Sequence, residues 1–107
     1  MINLITNLLS KNKATNVSII ELEKNIIADH IVIATCTSYK HMKHLSENIV
    51  KDLKLHDTTS SVIVSGKNTD WIIIDTGSVI IHLMSFYCRD IYKLEELYKN
   101  LKIWNTY

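Results

Sequence analysis

The 107-residue chain is 47% hydrophobic and 21% charged, carries a formal net charge of +1, and contains two cysteines, two glycines and no proline. That length suits a single domain, residues 1–107, with one modest core, and the apolar fraction excludes a disordered chain. Near-neutral charge excludes any general attraction to phosphate or acidic lipid, and no local basic patch stands out along the sequence.

Taken in order, Ile2, Ile5, Leu8 and Leu9 mark one face of a short amphipathic helix ending near Lys11. This run is too short and too polar to span a bilayer, and no small-residue cleavage site follows it. Residues 17–22 are β-branched and partly alternating, and predict a first strand followed by a polar turn at 23–25. The continuous apolar run 31–35 predicts a second, buried strand. From Tyr39 to about His56 the period changes: Met42, Leu45, Ile49 and Leu53 recur every three or four residues, with Lys40, Lys43, Glu47, Lys51 and Lys54 on the remaining surface. This is the principal helix, with Thr37 or Ser38 as its cap.

A polar connection at 58–61, a short strand at 61–64 and a turn at 66–68 lead into the stretch 70–84, where two apolar runs flank Thr76-Gly77-Ser78. It predicts a β-hairpin at the middle of the sheet. Neither run alternates cleanly, which points to strands covered on both faces. After Met84, Ile91, Leu94, Leu97 and Leu101 fall on one helical face; a turn is expected at 89–92, a helix from about Leu94, and fraying over 103–107. The order α-β-β-α-β-β-β-α defines an α/β fold, a mixed β-sheet of about five strands flanked by helices.

The candidates for chemistry are few. His41 and His44 lie three apart on the principal helix, but no metal-ligand spacing supports them. His41 suits bonding to loop carbonyls, and His44 a solvated face. Cys36, between a strand end and a helix start, reads as a packed small residue rather than a low-pKa nucleophile, since no general base is placed beside it. Cys36 and Cys88 are expected as free thiols in a reducing, cytoplasmic setting. Asp70 and Asp75, five apart, should project to opposite faces and cannot form a close carboxylate pair. Gly66-Lys67 lacks the rest of a phosphate loop. Trp71, Arg89, Tyr92, Tyr98 and Trp104 are residue types that anchor interfaces. The residues alone therefore favour a binding module over an enzyme, with no metal, cofactor or catalytic residue.

Three blocks carry a resemblance: residues 28–41 (Ala28-Asp29-His30 to Thr37-Ser38-Tyr39-Lys40-His41), residues 70–84 (Asp70-Trp71 to His82-Leu83-Met84), and residues 89–98 (Arg89-Asp90-Ile91-Tyr92-Lys93-Leu94-Glu95 to Tyr98). Over about 2–98 the chain resembles the ribosomal silencing factor family, RsfS or Iojap. It departs from the family pattern at Cys36, where glycine is usual, at Ser78, where aspartate is usual, and at Ser65, where an acidic residue is common.

The resemblance implies a nucleotidyltransferase-like fold without that enzyme class's Gly-Ser and paired-Asp signature. It also implies binding to the large ribosomal subunit through its protein fourteen, blocking the small subunit and repressing translation when nutrients are limiting. Membranes and sequence-specific nucleic acid are not implied partners. The residues it marks for partner binding are Asp70, Trp71, His82, Arg89, Tyr92, Leu94 and Glu95, while His41 and Asp75 are assigned to holding the strand-helix junction and the hairpin. The alternatives are a nucleotide-binding or nucleotidyltransferase-like enzyme using His82 and Asp75, or a self-associating structural protein, a homodimer when free.

Overall fold

The computed structural model describes residues 2–22, 28–56, 61–67, 69–98 and 102–106, the last segment by its backbone alone. Helix α1 (Ile2–Lys11) leads into β1 (Thr15–Glu21), β2 (His30–Cys36) and the long helix α2 (Tyr39–His56). Then come β3 (Ile63–Ser65), β4 (Trp71–Asp75), β5 (Val79–Ser85), α3 (Phe86–Tyr92), a five-residue 3-10 helix (Leu94–Tyr98) and β6 (Lys102–Thr106). The expected turn at 23–25, most of the connection 58–61 and the last residue of the turn 66–68 lie outside the described residues.

The six strands form one mixed sheet in the order β3-β4-β5-β2-β1-β6. Its centre is the parallel pair β2 and β5, with all other pairings antiparallel. The hairpin β4–β5 therefore reaches the middle of the sheet only through β5. A sixth strand, pairing with β1 from Glu21↔Lys102 to Val17↔Thr106, replaces the expected frayed end. The backbone of 102–106 is held by the ladder of an edge that would otherwise be unpaired.

Burial follows the strand period and separates two cores. On one face Val32, Ala34, Cys36, Ile72, Ile74, Val79, Ile81 and Leu83 pack with Ile5, Leu8 and Leu9 of α1 and Met42, Leu45, Ile49 and Leu53 of α2. On the other, Ile20, Ile31, Ile33 and Met84 pack with Cys88 of α3, and Leu94 and Tyr98 lean against them. That second layer is short. It covers β1 and β2 but leaves Trp71, Ile73, Ile80 and His82 half-buried, so β4 and β5 alternate in exposure after all. The expectation of strands covered on both faces is corrected here. The outer positions are apolar without being covered, so composition alone hides the alternation.

The C-terminal region also differs from expectation. Ser85 caps α3 by accepting the Cys88 N–H (3.0 Å), and Lys93, left-handed at φ +44°, ends it after seven residues. A continuous helical face through Ile91, Leu94 and Leu97 therefore never forms, and Ile91 and Leu97 are exposed.

Local contacts set the loops. Ser38 caps α2 by accepting the His41 N–H at 3.0 Å, while His41 Nδ1 accepts the Thr37 N–H (3.1 Å). The other ring nitrogen donates to the Asn12 carbonyl (2.6 Å), which ties the end of α1 to the β2–α2 junction. In the β4–β5 turn, Asp75 Oδ1 accepts the Gly77 N–H (2.9 Å) and Thr76 pairs with Val79. Gly66, at φ +82°, lies so close to the Trp71 carbonyl that a Cβ would overlap it. Gly66→Ala should therefore lower stability by about 1–3 kcal/mol, read as a lower midpoint in urea. A wild-type midpoint would contradict this account of the loop that leads to Trp71.

Candidate functional site

The opening between α3 and the β4 side of the sheet gathers several of the residues singled out by sequence. Trp71 and His82 are diagonal neighbours on adjacent strands, since Ile73 pairs with His82 and Trp71 with Met84. The Trp71 indole N–H donates to His82 Nδ1 at 3.0 Å, with ring centroids 5.9 Å apart. Tyr92, from the last turn of α3, lies tilted against Trp71 at 5.0 Å and 44°. An indole held by two partners presents a fixed face. Burial pushes His82 below the ordinary histidine value of 6.5, so the ring is neutral at pH 7, as an acceptor nitrogen requires.

Asp70 stands one residue ahead of β4, so strand alternation does not govern it. It lies on the Trp71 side and, with Thr69, Trp71, Ile73, Cys88 and Tyr92, lines an open cleft of about 310 Å³. The expectation that Asp70 and Asp75 project to opposite faces is corrected, although the length of β4, about 16 Å, still keeps them apart. Ser85 Oγ donates to Asp70 Oδ2 (3.2 Å), and the Asp70 carbonyl accepts the Ser85 N–H at 3.0 Å. A hydrogen bond from the Cys88 thiol, helped by Ser85, holds the Asp70 carboxyl below the usual carboxylate range. Burial, reinforced by Asp70, pushes Cys88 up in return.

Arg89 and Glu95 form a separate unit. Arg89 Nε bonds Glu95 Oε1 at 3.0 Å, Nη2 bonds Ser18 Oγ at 2.8 Å, and Nη1 bonds Thr35 Oγ1 at 3.1 Å and the Asn16 carbonyl. Its side chain is only 13% exposed, so the fork is spent inside the molecule, joining α3 and the 3-10 helix to β1 and β2. A bulge in β1 makes this possible: the register slips by one between Thr15 and Ser18, and Asn16 takes φ +48°. Leu94 packs half-buried against the second core. The structure thus brings Asp70, Trp71, His82 and Tyr92 together, and sets Arg89, Glu95 and Leu94 behind them as support.

Ser85, Asn16, Ser18 and Thr35 carry no role that the sequence suggests, and there Cys88 reads only as a free thiol and Gly66 only as part of a turn. Only Ser85 left a readable sign, a serine three residues ahead of the N–H it caps. Cys36 is buried and pushed up to about 11, so the positive end of α2 confers no thiolate character on it. At Ser78 the family's usual aspartate is absent, yet the Ser78 carbonyl accepts the Asp29 and His30 N–H groups (2.8 and 3.2 Å), a link independent of side chain. Asp75 and His82 are each committed to structural hydrogen bonds. Among the described residues no group of three His, Cys, Asp or Glu side chains is placed to hold a metal, and no helix is long and apolar enough to cross a membrane.

The ordered aromatic cluster of this α/β fold opens to solvent on one sheet face. The sequence profile described as "Ribosomal silencing factor during starvation" (RsfS) matches residues 1–105, and the chain belongs to that family, whose members are not enzymes. It is 35% identical over 78 residues to the ribosomal silencing factor RsfS of Haemophilus influenzae, covering 70% of this chain and 74% of the relative. It is 32% identical over 101 residues to the mouse protein named mitochondrial assembly of ribosomal large subunit protein 1, covering 91% of this chain and 44% of that one. Crystal structures of proteins from Chromobacterium violaceum and Bacillus halodurans share the fold, with TM-scores of 0.81 and 0.77 at 23% and 22% identity. They cover 91% and 90% of this chain, and 82% and 90% of theirs.

The Trp71–His82 bond has a pH consequence. Below pH 6.5 the unfolded chain takes up a proton at His82 that the folded chain refuses, because the folded value is depressed. The stability this provides is complete above pH 6.5 and is lost as pH falls through the depressed folded value. The His82 ring proton, followed by NMR, should therefore titrate with a midpoint below 6.5 and together with the Trp71 indole N–H. A midpoint at or above 6.5 would show that the ring is not buried as described.

Proposed function

We propose that this chain binds the large ribosomal subunit through its protein fourteen, occupies ground that the small subunit needs, and thereby represses translation when nutrients are limiting. The family match supports a ribosomal silencing role, and the name of the mouse relative ties that protein to the large subunit. The observation that carries the reading is the half-open sheet face around Trp71, ordered in advance by His82 and Tyr92. A patch already fixed loses little conformational freedom on docking, and aromatic anchors of this kind dominate protein interfaces.

In this reading Trp71 and Tyr92 supply apolar contact, Asp70 complements basic groups on the ribosomal protein, and His82, Arg89, Glu95 and Leu94 hold the surface in shape. No bond is made or broken. The chain acts by bulk, in the cytoplasmic compartment where ribosomes cycle between free and joined subunits. Self-association of the free chain would use the same face and would compete with the subunit. Light scattering at two concentrations, with and without large subunits, reads that competition.

The test is sedimentation of small with large subunits in the presence of the purified chain. The joined-particle peak should fall with dose, and the chain should migrate with large subunits. Trp71→Ala should weaken that co-migration by about 2 kcal/mol, some thirtyfold, with Leu94→Ala in the same direction. Unchanged joining at saturating dose, or wild-type binding by folded Trp71→Ala protein, would overturn the reading.

A further inference from the structure

We propose that the cleft beside Trp71 is a seat for one guanidinium group: an arginine side chain of the partner laid against the Trp71 and Tyr92 rings, with its N–H groups on the Asp70 carboxylate. This deepens the docking reading and rests on it for the identity of the partner, but the seat is a property of this chain and can be tested without ribosomes.

Three observations converge on a cation. Among the described residues Asp70 is the one charged group lining the cleft, and it is exposed. Among the described residues no Lys or Arg of this chain pairs with it, the recorded ion pair being Arg89–Glu95. The carboxylate is nevertheless aimed: the Ser85 hydroxyl holds Oδ2 at 3.2 Å and the Cys88 thiol also bonds the group, while it stays exposed to an incoming donor. The neighbouring walls are aromatic. Trp71 and Tyr92 both line the cleft, in contact with each other at 5.0 Å and 44°, and the Trp71 ring cannot swing away without breaking its bond to His82. Ring faces attract cations, and the attraction grows where water is partly excluded.

Size and charge reject the obvious competitors. At about 310 Å³ the cleft lies at the lower limit of small-molecule sites. It admits one side chain rather than a nucleotide, and the Asp70 carboxylate repels phosphate. A guanidinium suits it better than an ammonium, because it is planar and weakly hydrated. It can lie along one ring while sending an N–H sideways to a carboxylate.

The experiment uses the full chain and three probes of matched shape: N-acetyl-arginine amide, N-acetyl-lysine amide and the neutral N-acetyl-citrulline amide. The readout is the Trp71 indole N–H and the Tyr92 ring signals by NMR. The arginine probe should shift both saturably and the citrulline probe should not. Asp70→Asn, which keeps an acceptor for Ser85, should weaken binding about tenfold. Tyr92→Leu, which leaves Asp70 intact, should also weaken it, and thermal midpoints will confirm that both variants fold. Equal binding of citrulline, or an unchanged response in both folded variants, overturns the seat; equal binding of the lysine probe overturns its preference for a planar cation. With large subunits, loss of co-migration by Trp71→Ala but wild-type affinity of Asp70→Asn would overturn the seat and leave the docking reading standing. Asp70-dependent arginine binding with no effect of either variant on co-migration would do the reverse.

Discussion

The structure depends on an unequal covering of one sheet. Two helices, α1 and α2, close one face with a continuous core, and among the described residues the second face receives only α3 and a single 3-10 turn. Burying apolar area is the main favourable term in folding, and the first face supplies most of it. The second face can then be left partly open over β4 and β5. What remains exposed there is apolar and aromatic, a composition normally found inside a protein.

A short second layer needs another fastening, and Arg89 provides it. One guanidinium joins α3 and the 3-10 helix, through Glu95, to the Asn16 carbonyl, Ser18 and Thr35 of two neighbouring strands. The bulge in β1 turns that carbonyl toward it, and both hydroxyls are buried. Desolvated hydrogen bonds to a charged group are among the stronger polar contacts. They fix where α3 ends, and so where Tyr92 meets Trp71.

Much of this was legible in the sequence. The 3.6-residue period gave α2 its bounds at Tyr39 and His56, and the β-branched runs located β1, β2 and the hairpin. The roles of His41 and Asp75 agree with the contacts they make. Three features were not legible. The edge strand β6 pairs with residues more than eighty positions away, and nothing local announces such a ladder. The early end of α3 is set by a left-handed lysine, a conformation that lysine composition does not signal. Half-exposure of Ile73 and Ile80 was hidden because hydropathy records what a side chain prefers, and these two are apolar on a face the chain itself does not close. In the site, Asp70 and Trp71 were visible as a motif. The internal role of the Arg89 fork was not, since its partners come from β1 and β2, far away in the sequence.

In the proposed function the open half of the second sheet face, and not the helical layer, is the surface that meets the large subunit. Hydroxyl-radical footprinting of the chain, free and bound to purified large subunits, tests it most directly, because side-chain oxidation reports water access residue by residue. Oxidation of Trp71 and Tyr92 should fall on binding, while that of Leu55, exposed on α2, should stay as in the free chain. Protection of Leu55 with Trp71 and Tyr92 still fully oxidised would contradict the account.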